Sequence, residues 1–366
     1  MTVTDVRCHR VSVALHTPFV TALRTATRVE TLLVQVIDSD GASGWGEAPQ
    51  VWQVTGESVA GAEACVQGPL RSVLTGRDSA DLVPTSVAVG RAVPGNFGAK
   101  AAVDVALHDL AAQRLGVPLA ALLGGAATRV PTDVTVSAGE PAELAVAAKA
   151  RASEGFDVLK LKVGTDARTD VERVRAVRDA VGPAVRLRLD ANQGWTPREA
   201  VSVIAVLAAA EPDLEFVEQP VAARDLDGLA WVRARSDLPI LADESVYGVR
   251  DFVELIRRGA ADMVNVKLAK CGGLRVARTL LELARECGIG TIVGSMMESQ
   301  VGVGAAASLV AGYGTTAVSD LDAAWWLERS PVRGGITYDA ACVALPASPG
   351  LGIAGLADRS PGTADG

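Results

Sequence analysis

The strongest constraint on the fold is a regular alternation of short apolar segments with helix-like segments, which begins near residue 130. Eight segments have the length and apolar content of buried strands, and seven helix-like segments lie between them. So many similar strand–helix units favour an α/β fold of the TIM-barrel type over a doubly wound sheet. We therefore predict a (β/α) barrel over residues 126–325, with strands in VPTDVTVSA, FDVLKLKVG, VRLRLDAN, LEFVEQP, LPILADES, ADMVNVKLA, GIGTIVGS and TTAVSDLD.

The regions on either side of this repeat have a different pattern. Residues 1–125 begin with strand-like stretches of alternating β-branched residues, broken by a DSDG turn, and continue from about Glu57 with helical periodicity. Strands followed by a run of helices predict an α+β unit. Residues 326–366 are rich in glycine and proline, and we interpret them as a segment that returns to the N-terminal unit.

Composition and charge argue against several classes of function. The 366 residues carry a net charge of −8, which argues against binding to nucleic acid or to an anionic membrane. The sequence shows no long apolar run and no signal-peptide pattern, so we expect a cytoplasmic protein without membrane association. Five scattered cysteines without a C-x-x-C pair, and three histidines without a partner at ligand spacing, argue against a disulfide framework, a zinc site and histidine-centred catalysis.

Acidic residues end three successive strand candidates of the predicted barrel. Asp190, Glu218 and Asp243 lie 28 and 25 residues apart. Lys267 ends the next strand candidate, 24 residues later, so each step corresponds to one strand–helix unit. Because catalytic groups of TIM-type barrels lie at the carboxyl ends of the strands, the three carboxylates should converge, although any one alone could be a helix cap or a surface acid. Their mutual repulsion requires a bound cation, and oxygen ligands favour Mg²⁺ first and Mn²⁺ second.

Two lysines are predicted to face each other across the mouth of the barrel. Lys162 ends the second strand candidate and Lys267 the sixth, and these are four positions apart in an eight-stranded ring. A substrate between them could lose a proton on one face and regain it on the other, while the metal stabilises the enediolate formed when the α-proton of a carboxylate leaves. Lys160 is predicted to act electrostatically beside Lys162, and Lys270 to lie in a loop or at a helix start. The alternative is that the two facing lysines only pair with neighbouring acids.

The strand-end motifs, taken in order, resemble those of the enolase superfamily, muconate-lactonizing subgroup. The similarity covers nearly the whole chain and rests on the joint order of GWGEAP, ALHDLAAQRLGVPL, KLKVG, LDANQGW, VEQP, ADES, NVKLAKCGG and PGLGI. The resemblance implies a modified (β/α)₇β barrel under an α+β capping domain, which the N-terminal region and the C-terminal tail would form together. It also implies Mg²⁺ ligands at Asp190, Glu218 and Asp243. Lys162 and Lys267 would be the catalytic acid/base pair.

The resemblance also points to residues that bind substrate. Asp320 and Asp322 resemble the D-x-D motif with which dipeptide epimerases hold the α-ammonium group of the dipeptide, and paired acids at a pocket edge suit a cation. Arg24 matches a position where relatives bind the distal carboxylate of the substrate, a task that suits a guanidinium. Glu298 would instead favour a cationic second residue if its side chain points inward. The predicted substrate-binding residues are Arg24, Thr135, Lys160, Met297, Glu298, Asp320 and Asp322.

These features predict a Mg²⁺-dependent dipeptide epimerase that inverts the α-carbon of the C-terminal residue of a dipeptide such as L-Ala-L-Glu. Alternatives with the same fold are o-succinylbenzoate synthase, N-acylamino-acid racemase and muconate cycloisomerase, whose substrates lack a free α-ammonium group. A non-enzymatic scaffold on an inactive barrel is a third interpretation, which the intact set of lysines and acids argues against. We also expect a homo-oligomer, and a loop over residues 14–26 that closes on the pocket with residues 17–19 at its tip.

Overall fold

The computed structural model describes residues 1–210 and 213–358. An antiparallel sheet and several helices come first in the chain, and a curled parallel sheet with its own helices follows. The strands are β1 (Val3–Val20), β2 (Thr25–Asp38), β3 (Ser43–Pro49), β4 (Arg129–Pro131), β5 (Val134–Val136), β6 (Val158–Lys162), β7 (Arg186–Asp190), β8 (Leu214–Glu218), β9 (Ile240–Ala242), β10 (Met263–Lys267), β11 (Gly290–Gly294), β12 (Val332–Gly334), β13 (Thr337–Asp339), β14 (Cys342–Ala344) and β15 (Ile353–Leu356).

The helices divide between the same two regions. The α-helices are α1 (Val59–Cys65), α2 (Arg71–Leu74), α3 (Leu82–Arg91), α4 (Phe97–Leu115), α5 (Leu119–Leu122), α6 (Pro141–Ser153), α7 (Ala167–Val181), α8 (Pro197–Ala210), α9 (Leu226–Arg233), α10 (Val249–Arg258), α11 (Leu268–Cys271), α12 (Leu274–Glu286) and α13 (Gln300–Tyr313). A π-helical turn, Val66–Leu70, joins α1 to α2, and a 3₁₀ helix, Ala323–Trp326, follows the last barrel segment.

The N-terminal domain is an antiparallel three-stranded sheet covered by helix α4. Strands β1, β2 and β3 are neighbours in the order of the chain, and the predicted DSDG turn joins the last two. Gly44 and Gly46 allow the helix to lie directly on the sheet, because a Cβ atom at these positions would lie 2.0 Å and 1.8 Å from helix carbonyl oxygens. The glycines of the GWGEAP motif therefore have a packing role, and the predicted α+β unit is confirmed.

The parallel sheet curls into a barrel that a short eighth segment closes. Its seven strands run in the order β11-β10-β9-β8-β7-β6-β5, and a helix follows each of them along the chain. Parallel bridges join Gly294 to Asp320 and Thr132 to Ser319, so the segment at 319–320 lies between the two edges of the sheet. The predicted modified barrel is therefore confirmed.

The eighth strand is much shorter than the predicted segment TTAVSDLD. Thr132 Oγ1 accepts a hydrogen bond from Leu321 N at 2.9 Å, and Ser319 Oγ accepts one from Val293 N at 3.2 Å. Because side-chain hydroxyls take these donors, parallel bridges form at Ser319 and Asp320 without extending into a regular strand. An apolar pattern cannot show this replacement of a carbonyl by a hydroxyl.

The barrel strands are buried on both faces. Leu159 and Leu189 are fully buried in the hydrophobic core between strands and helices. On the inner face Arg188 is also fully buried, and it pairs with Asp133 at 3.0 Å and with Glu215 at 2.6 Å. The period-two alternation therefore directs Leu159 and Leu189 outward and Arg188 into the barrel, where it lies over the ring of Phe216.

The C-terminal segment contacts both the barrel and the N-terminal domain. β13 and β14 form a sheet with β4, and β12 pairs with β15. Leu351 N donates to Asp109 Oδ1 of α4 at 2.6 Å, and Leu119 N donates to the carbonyl oxygen of Gly350 at 2.8 Å. The segment therefore runs from the barrel back to the helices of the first domain.

The predicted domain bounds, 1–125, 126–325 and 326–366, stay predictions. The last range includes residues 359–366, which lie outside the described residues. Within residues 1–210 and 213–358, no helix combines the length and the apolar character needed to cross a bilayer.

Strands β1 and β2 extend beyond the sheet as a hairpin toward the barrel, which we call the cap hairpin (residues 14–26). Backbone pairing resumes beside the turn at residues 21–24, where Thr21 Oγ1 accepts a hydrogen bond from Arg24 N at 3.2 Å. The prediction of a loop with its tip at residues 17–19 is therefore wrong, because those residues lie inside β1. A threonine-closed turn, rather than the proline before it, reverses the chain.

Candidate active site

A cavity lies at the carboxyl ends of the barrel strands, where the N-terminal domain meets the barrel. The barrel strands supply its charged residues, whereas the cap hairpin and the segment after β3 supply apolar side chains and one arginine. The predicted site residues in its lining are Arg24, Thr135, Lys162, Asp243, Lys267, Met297, Asp320 and Asp322.

Three buried carboxylates lie at adjacent strand ends. Asp190 ends β7, Glu218 ends β8 and Asp243 directly follows β9. Each of these residues is at most 1% exposed. Gln219 Oε1 accepts a hydrogen bond from Asp243 N at 2.9 Å and so holds the backbone of Asp243 in place. The strand order therefore brings all three acids to the same end of the barrel.

Lys162 and Lys267 lie on opposite sides of the cavity. They end β6 and β10, which are separated by three strands in one direction and by β11, the 319–320 segment and β5 in the other. Lys162 Nζ is 2.6 Å from Asp190 Oδ2, and Lys267 Nζ is 2.7 Å from Asp243 Oδ2. Both lysines therefore pair with strand-end acids while they line the cavity from opposed strands.

Two more lysines lie outside the cavity lining. Lys160 is 1% exposed, one pleat deeper than Lys162 on β6, and its Nζ lies 2.7 Å from Glu218 and 3.1 Å from Asp190. Lys270, in α11, is equally buried, with its Nζ 2.5 Å from Asp243 Oδ1. The sequence suggested a loop or helix-start position for Lys270, and this contact with an acid was missed.

The positive charges of the lysines do not fully balance the negative charges of the acids at the strand ends. Burial and the charge of Asp190 raise the pKa of Glu218 to about 7. Burial and the charge of Asp243 raise the pKa of Glu244 to about 8. Among the described residues, Asn192 Oδ1 and Glu244 Oε2 are buried without a hydrogen-bond partner. This oxygen-rich set fits a hard divalent cation, although no three His, Cys, Asp or Glu side chains in the described ranges are already arranged as a metal site.

Asp320 and Asp322 both line the cavity, but their surroundings differ. Burial opposes the ionisation of Asp320, yet Lys160 Nζ, 2.7 Å from its Oδ2, helps to lower the pKa to about 2. Asp322 Oδ2 accepts hydrogen bonds from Thr135 N at 2.8 Å and from Trp326 Nε1 at 2.9 Å. Burial raises the pKa of Asp322. A lysine therefore neutralises the first acid, whereas two uncharged donors hold the second.

Arg24 reaches the cavity from the turn of the cap hairpin. Burial lowers the pKa of its guanidinium group, and in the described part of the chain no carboxylate forms an ion pair with it. Ala138 N of the barrel donates to the carbonyl oxygen of Val20 at 3.0 Å, so the hairpin contacts the barrel beside this residue. A half-buried cation without an acid partner suits an anionic group of a ligand.

The segment after β11 contributes three residues to the cavity lining, whereas the acid Glu298 that follows them lies outside it. Ser295, Met296 and Met297 line the cavity. Glu298 Oε1 accepts a hydrogen bond from Met296 N at 2.9 Å, and burial and the nearby Glu47 raise the pKa of Glu298 to about 8. The structure thus places this acid beside β3 of the N-terminal domain rather than in the cavity lining.

Several cavity residues lie outside the sequence prediction. Val51 and Val54 come from the N-terminal domain, where an apolar side chain gives no sign that it faces a ligand, whereas Phe19 belongs to the segment that was expected to close on the pocket. Glu244 could have been recognised, because it follows Asp243 in the ADES motif at a strand end. The sequence therefore identifies the charged part of the cavity better than its apolar walls.

Known protein families match both parts of the chain. The family described as mandelate racemase / muconate lactonizing enzyme, N-terminal domain, matches residues 3–124. The family described as enolase C-terminal domain-like matches residues 143–358. The predicted resemblance is therefore confirmed.

Individual relatives match over nearly the full length. L-Ala-D/L-Glu epimerase of Bacillus subtilis is 41% identical, with 98% of each chain covered, and its substrate-liganded structure gives a TM-score of 0.95. Dipeptide epimerase of Enterococcus faecalis, solved with Mg and the dipeptide L-Leu-L-Tyr, is 37% identical, covers 96% of this chain and 99% of that chain, and gives a TM-score of 0.93. N-succinyl-L-Arg/Lys racemase of Bacillus cereus is 31% identical over 96% of this chain and 95% of the relative. This chain therefore belongs to the mandelate racemase/muconate lactonizing enzyme family of the enolase superfamily.

Proposed function

We propose that this protein is a Mg²⁺-dependent dipeptide epimerase, which inverts the α-carbon of the C-terminal residue of a dipeptide such as L-Ala-L-Glu. The observation that carries the proposal is the pair Lys162 and Lys267 on opposed strands, with three strand-end acids on the strands between them. Two opposed lysines suit proton removal and proton return on different faces of one carbon. Relatives named as L-Ala-D/L-Glu and hydrophobic dipeptide epimerases support the proposal.

Asp190, Glu218 and Asp243 would hold the Mg²⁺ ion, and Mn²⁺ would suit the same oxygen ligands. A bound Mg²⁺ would stabilise the negative charge that develops on the substrate carboxylate when the α-proton leaves. Gln219 and Asn265 would keep two of the acids in place, through hydrogen bonds of 2.9 Å from Asp243 N to Gln219 and 2.8 Å from Asn265 Nδ2 to Glu218. The relative solved with Mg and a dipeptide supports this assignment.

The proton transfer requires the two lysines in opposite protonation states. A neutral amine on one side accepts the α-proton, and the ammonium group on the other side donates a proton to the opposite face of the same carbon. The carbon inverts, and the two lysines exchange protonation states. Burial favours the neutral amine of Lys267, but Asp243 outweighs it and raises the pKa, so this ion pair must open before Lys267 accepts a proton.

The two sides of the cavity suit the two ends of a dipeptide. Asp320 and Asp322 would bind the α-ammonium group, since carboxylates in a cavity wall favour a cation. Arg24, on the other domain, would bind the distal carboxylate of an acidic second residue. Thr135 and Met297 would contact the dipeptide between these ends.

N-acylated amino acids are the substrates to test against dipeptides, because one relative is named an N-succinyl-L-Arg/Lys racemase. Such substrates have no free α-ammonium group, and the same holds for those of o-succinylbenzoate synthase and muconate cycloisomerase. Asp322, whose partners are two uncharged donors, would then have no α-ammonium group to bind. This acid is the observation that favours the dipeptide.

The test is exchange of the α-hydrogen in deuterated water. The protein is incubated with Mg²⁺ and a library of L-Ala-L-X dipeptides, and in parallel with N-succinyl amino acids. Mass spectrometry reads deuterium uptake and chiral chromatography reads inversion. We expect both at the C-terminal residue of an acidic dipeptide, lost on addition of a chelator and restored by Mg²⁺. Turnover of N-succinyl amino acids without turnover of any dipeptide, or full activity in the chelator, would contradict the proposal.

A further inference from the structure

The 3₁₀ helix after the last barrel segment carries two adjacent tryptophans with different contacts. Trp326 is 4% exposed, and its Nε1 donates a hydrogen bond to Asp322 Oδ2 at 2.9 Å. Trp325 packs against Phe156 and Arg151, whose guanidinium carbon lies 4.6 Å from the ring centre. The two rings meet edge to face with centres 5.1 Å apart, and Trp325 also meets His16 of the cap hairpin, with centres 4.7 Å apart. The two tryptophans therefore share a contact with the hairpin, and Trp326 differs in its hydrogen bond to a cavity acid.

The carboxylate of Asp322, which Trp326 contacts, is hydrogen-bonded through only one of its two oxygens in the described structure. Thr135 N and Trp326 Nε1 both donate to Oδ2 of Asp322, which leaves Oδ1 to accept a bond from a ligand. Among the described residues no lysine or arginine pairs with Asp322, whereas Lys160 pairs with Asp320. The orientation of the Asp322 carboxylate toward the cavity therefore depends on hydrogen bonds from two uncharged donors.

The same indole ring supports the cap hairpin. His16 stacks on Trp326 with ring centres 5.2 Å apart and 19° between the ring planes. Phe19 meets the ring edge to face, with centres 5.5 Å apart. Phe19 and Arg24 of this hairpin line the cavity, so one buried ring contacts both the acid at one end of the cavity and the hairpin that carries the arginine.

We propose that Trp326 is a positioning residue, which directs the carboxylate of Asp322 at the ammonium end of the ligand. The inference rests on the proposed dipeptide epimerase function and adds a residue to its substrate recognition. Loss of the indole N–H leaves the carboxylate with one donor, and the ammonium group of the dipeptide is then bound less tightly. The proton transfer at the lysines is not changed.

The test compares Trp326→Phe with the matched variant Trp325→Phe, which makes the same replacement one residue earlier. Steady-state epimerisation of L-Ala-L-Glu is measured with Mg²⁺ present. For Trp326→Phe we expect KM to rise about tenfold with little change in kcat, because a hydrogen bond to a charged group is lost from the binding site. Trp325→Phe is expected to stay near the wild-type KM. Equal KM values for the two variants overturn the inference.

A second background shows whether Trp326 acts through Asp322. In Asp322→Ala no carboxylate remains to be directed, so adding Trp326→Phe should change KM by less than about twofold. The same tenfold effect in both backgrounds assigns Trp326 a structural role alone and overturns the inference.

A measurement on the unaltered tryptophan covers the case in which Trp326→Phe does not fold. The indole N–H resonance of Trp326 is expected to shift in Asp322→Ala and on addition of the dipeptide, and by more than that of Trp325, whose ring only meets it edge to face. An unchanged Trp326 resonance in both conditions overturns the inference.

Failure of the proposed function can be told apart from failure of this inference. A wild-type protein that exchanges no dipeptide α-hydrogen overturns both. Normal dipeptide turnover by the wild-type protein, with a contrary result in one of the Trp326 experiments, overturns only the role of Trp326.

Discussion

The barrel side and the cap side of the cavity are built in different ways. On the barrel side, charged residues stand at the ends of parallel strands, buried and in many cases paired with one another, and Lys160 contacts three acids. On the cap side, Arg24 lies in a hairpin turn, and Val51 and Val54 lie in an irregular segment. We infer that the barrel side determines the reaction and binds the ammonium end of the ligand, and that the cap side determines which second residue is accepted.

A buried acid joins the two sides. Glu47 of β3 accepts hydrogen bonds from Ser299 N and Ser299 Oγ, the latter at 2.6 Å, and from Gly302 N at 2.9 Å. These donors belong to the start of α13, where a carboxylate also interacts favourably with the helix dipole. The N-terminal domain is therefore hydrogen-bonded to the barrel just after Met297, and the cap side and the barrel side of the cavity are not independent.

The largest expected effect is on the barrel side. Lys162→Ala and Lys267→Ala should each lower the epimerisation rate by about 10³-fold or more, since a general acid or base contributes about 10²- to 10⁴-fold. The same change at Lys149, which is exposed on α6, is the control and should leave the rate unchanged. Chiral chromatography of the products measures all three rates. A parental rate in either of the first two variants would place the chemistry elsewhere.

On the cap side, Arg24→Ala should change the choice of substrate. We expect kcat/KM for L-Ala-L-Glu to fall about 30-fold, equivalent to about 2 kcal/mol for a lost charge-assisted hydrogen bond. For L-Ala-L-Leu, which has no distal carboxylate, kcat/KM should change little. Arg28→Ala, at an exposed arginine on β2, is the control. An equal loss on both dipeptides would mean that Arg24 supports the hairpin and not the ligand.

The junction between the two sides should make stability depend on pH. Burial and Glu47 raise the pKa of Glu298 from 4.5 to about 8. A carboxyl group whose pKa is raised in the folded state stabilises the fold below its unfolded pKa, and that contribution is lost as the pH rises through the folded pKa. The free energy of unfolding should therefore fall between about pH 5 and 8, with a slope that Glu298→Gln reduces by up to about 1.4 kcal/mol per pH unit.

Urea denaturation of the parent and of Glu298→Gln at a series of pH values measures this slope. The two proteins share every other titrating group, so the difference between their curves belongs to Glu298 and its neighbour Glu47. Parallel curves would show that the carboxyl group is ionised in the fold over this range.

The smallest effect concerns the apolar wall of the cap side. Tyr247, in the loop after β9, donates from its hydroxyl to the carbonyl oxygen of Val54 at 2.5 Å. Tyr247→Phe keeps the ring against Phe97 and removes this bond, so KM should rise about two- to fivefold for a loss of up to about 1 kcal/mol. Steady-state kinetics on the dipeptide checks this value. A fall in kcat at constant KM would contradict a role limited to the wall.

The barrel side could be predicted because the sequence pattern shows where each strand of a parallel sheet ends. Lys162, Asp190 and Glu218 each end a strand of a parallel sheet, so regular spacing alone brings them to one edge. Their roles as base and metal ligands stay predictions, as do the homo-oligomer and the cytoplasmic location.

The cap side could not be predicted to the same degree, for physical reasons. A hairpin closed by Thr21 depends on side-chain hydrogen bonds that replace backbone pairing. One element of the barrel, the eighth strand, is interrupted in the same way by the hydroxyls of Thr132 and Ser319. Neither leaves a periodic signal. Trp326, whose ring contacts both sides, looks like any core aromatic in the sequence, and its bond to Asp322 appears only in three dimensions.

Exchange of the α-hydrogen by the two lysine variants, with each epimer supplied separately, tests the central claim most directly. If the amines act from opposite faces, Lys162→Ala should exchange deuterium into the epimer whose α-hydrogen faces Lys267, and Lys267→Ala should exchange it into the other epimer. Neither variant should interconvert L-Ala-L-Glu and L-Ala-D-Glu. Exchange of the same epimer by both variants, or interconversion by either one, would contradict the opposed-lysine account.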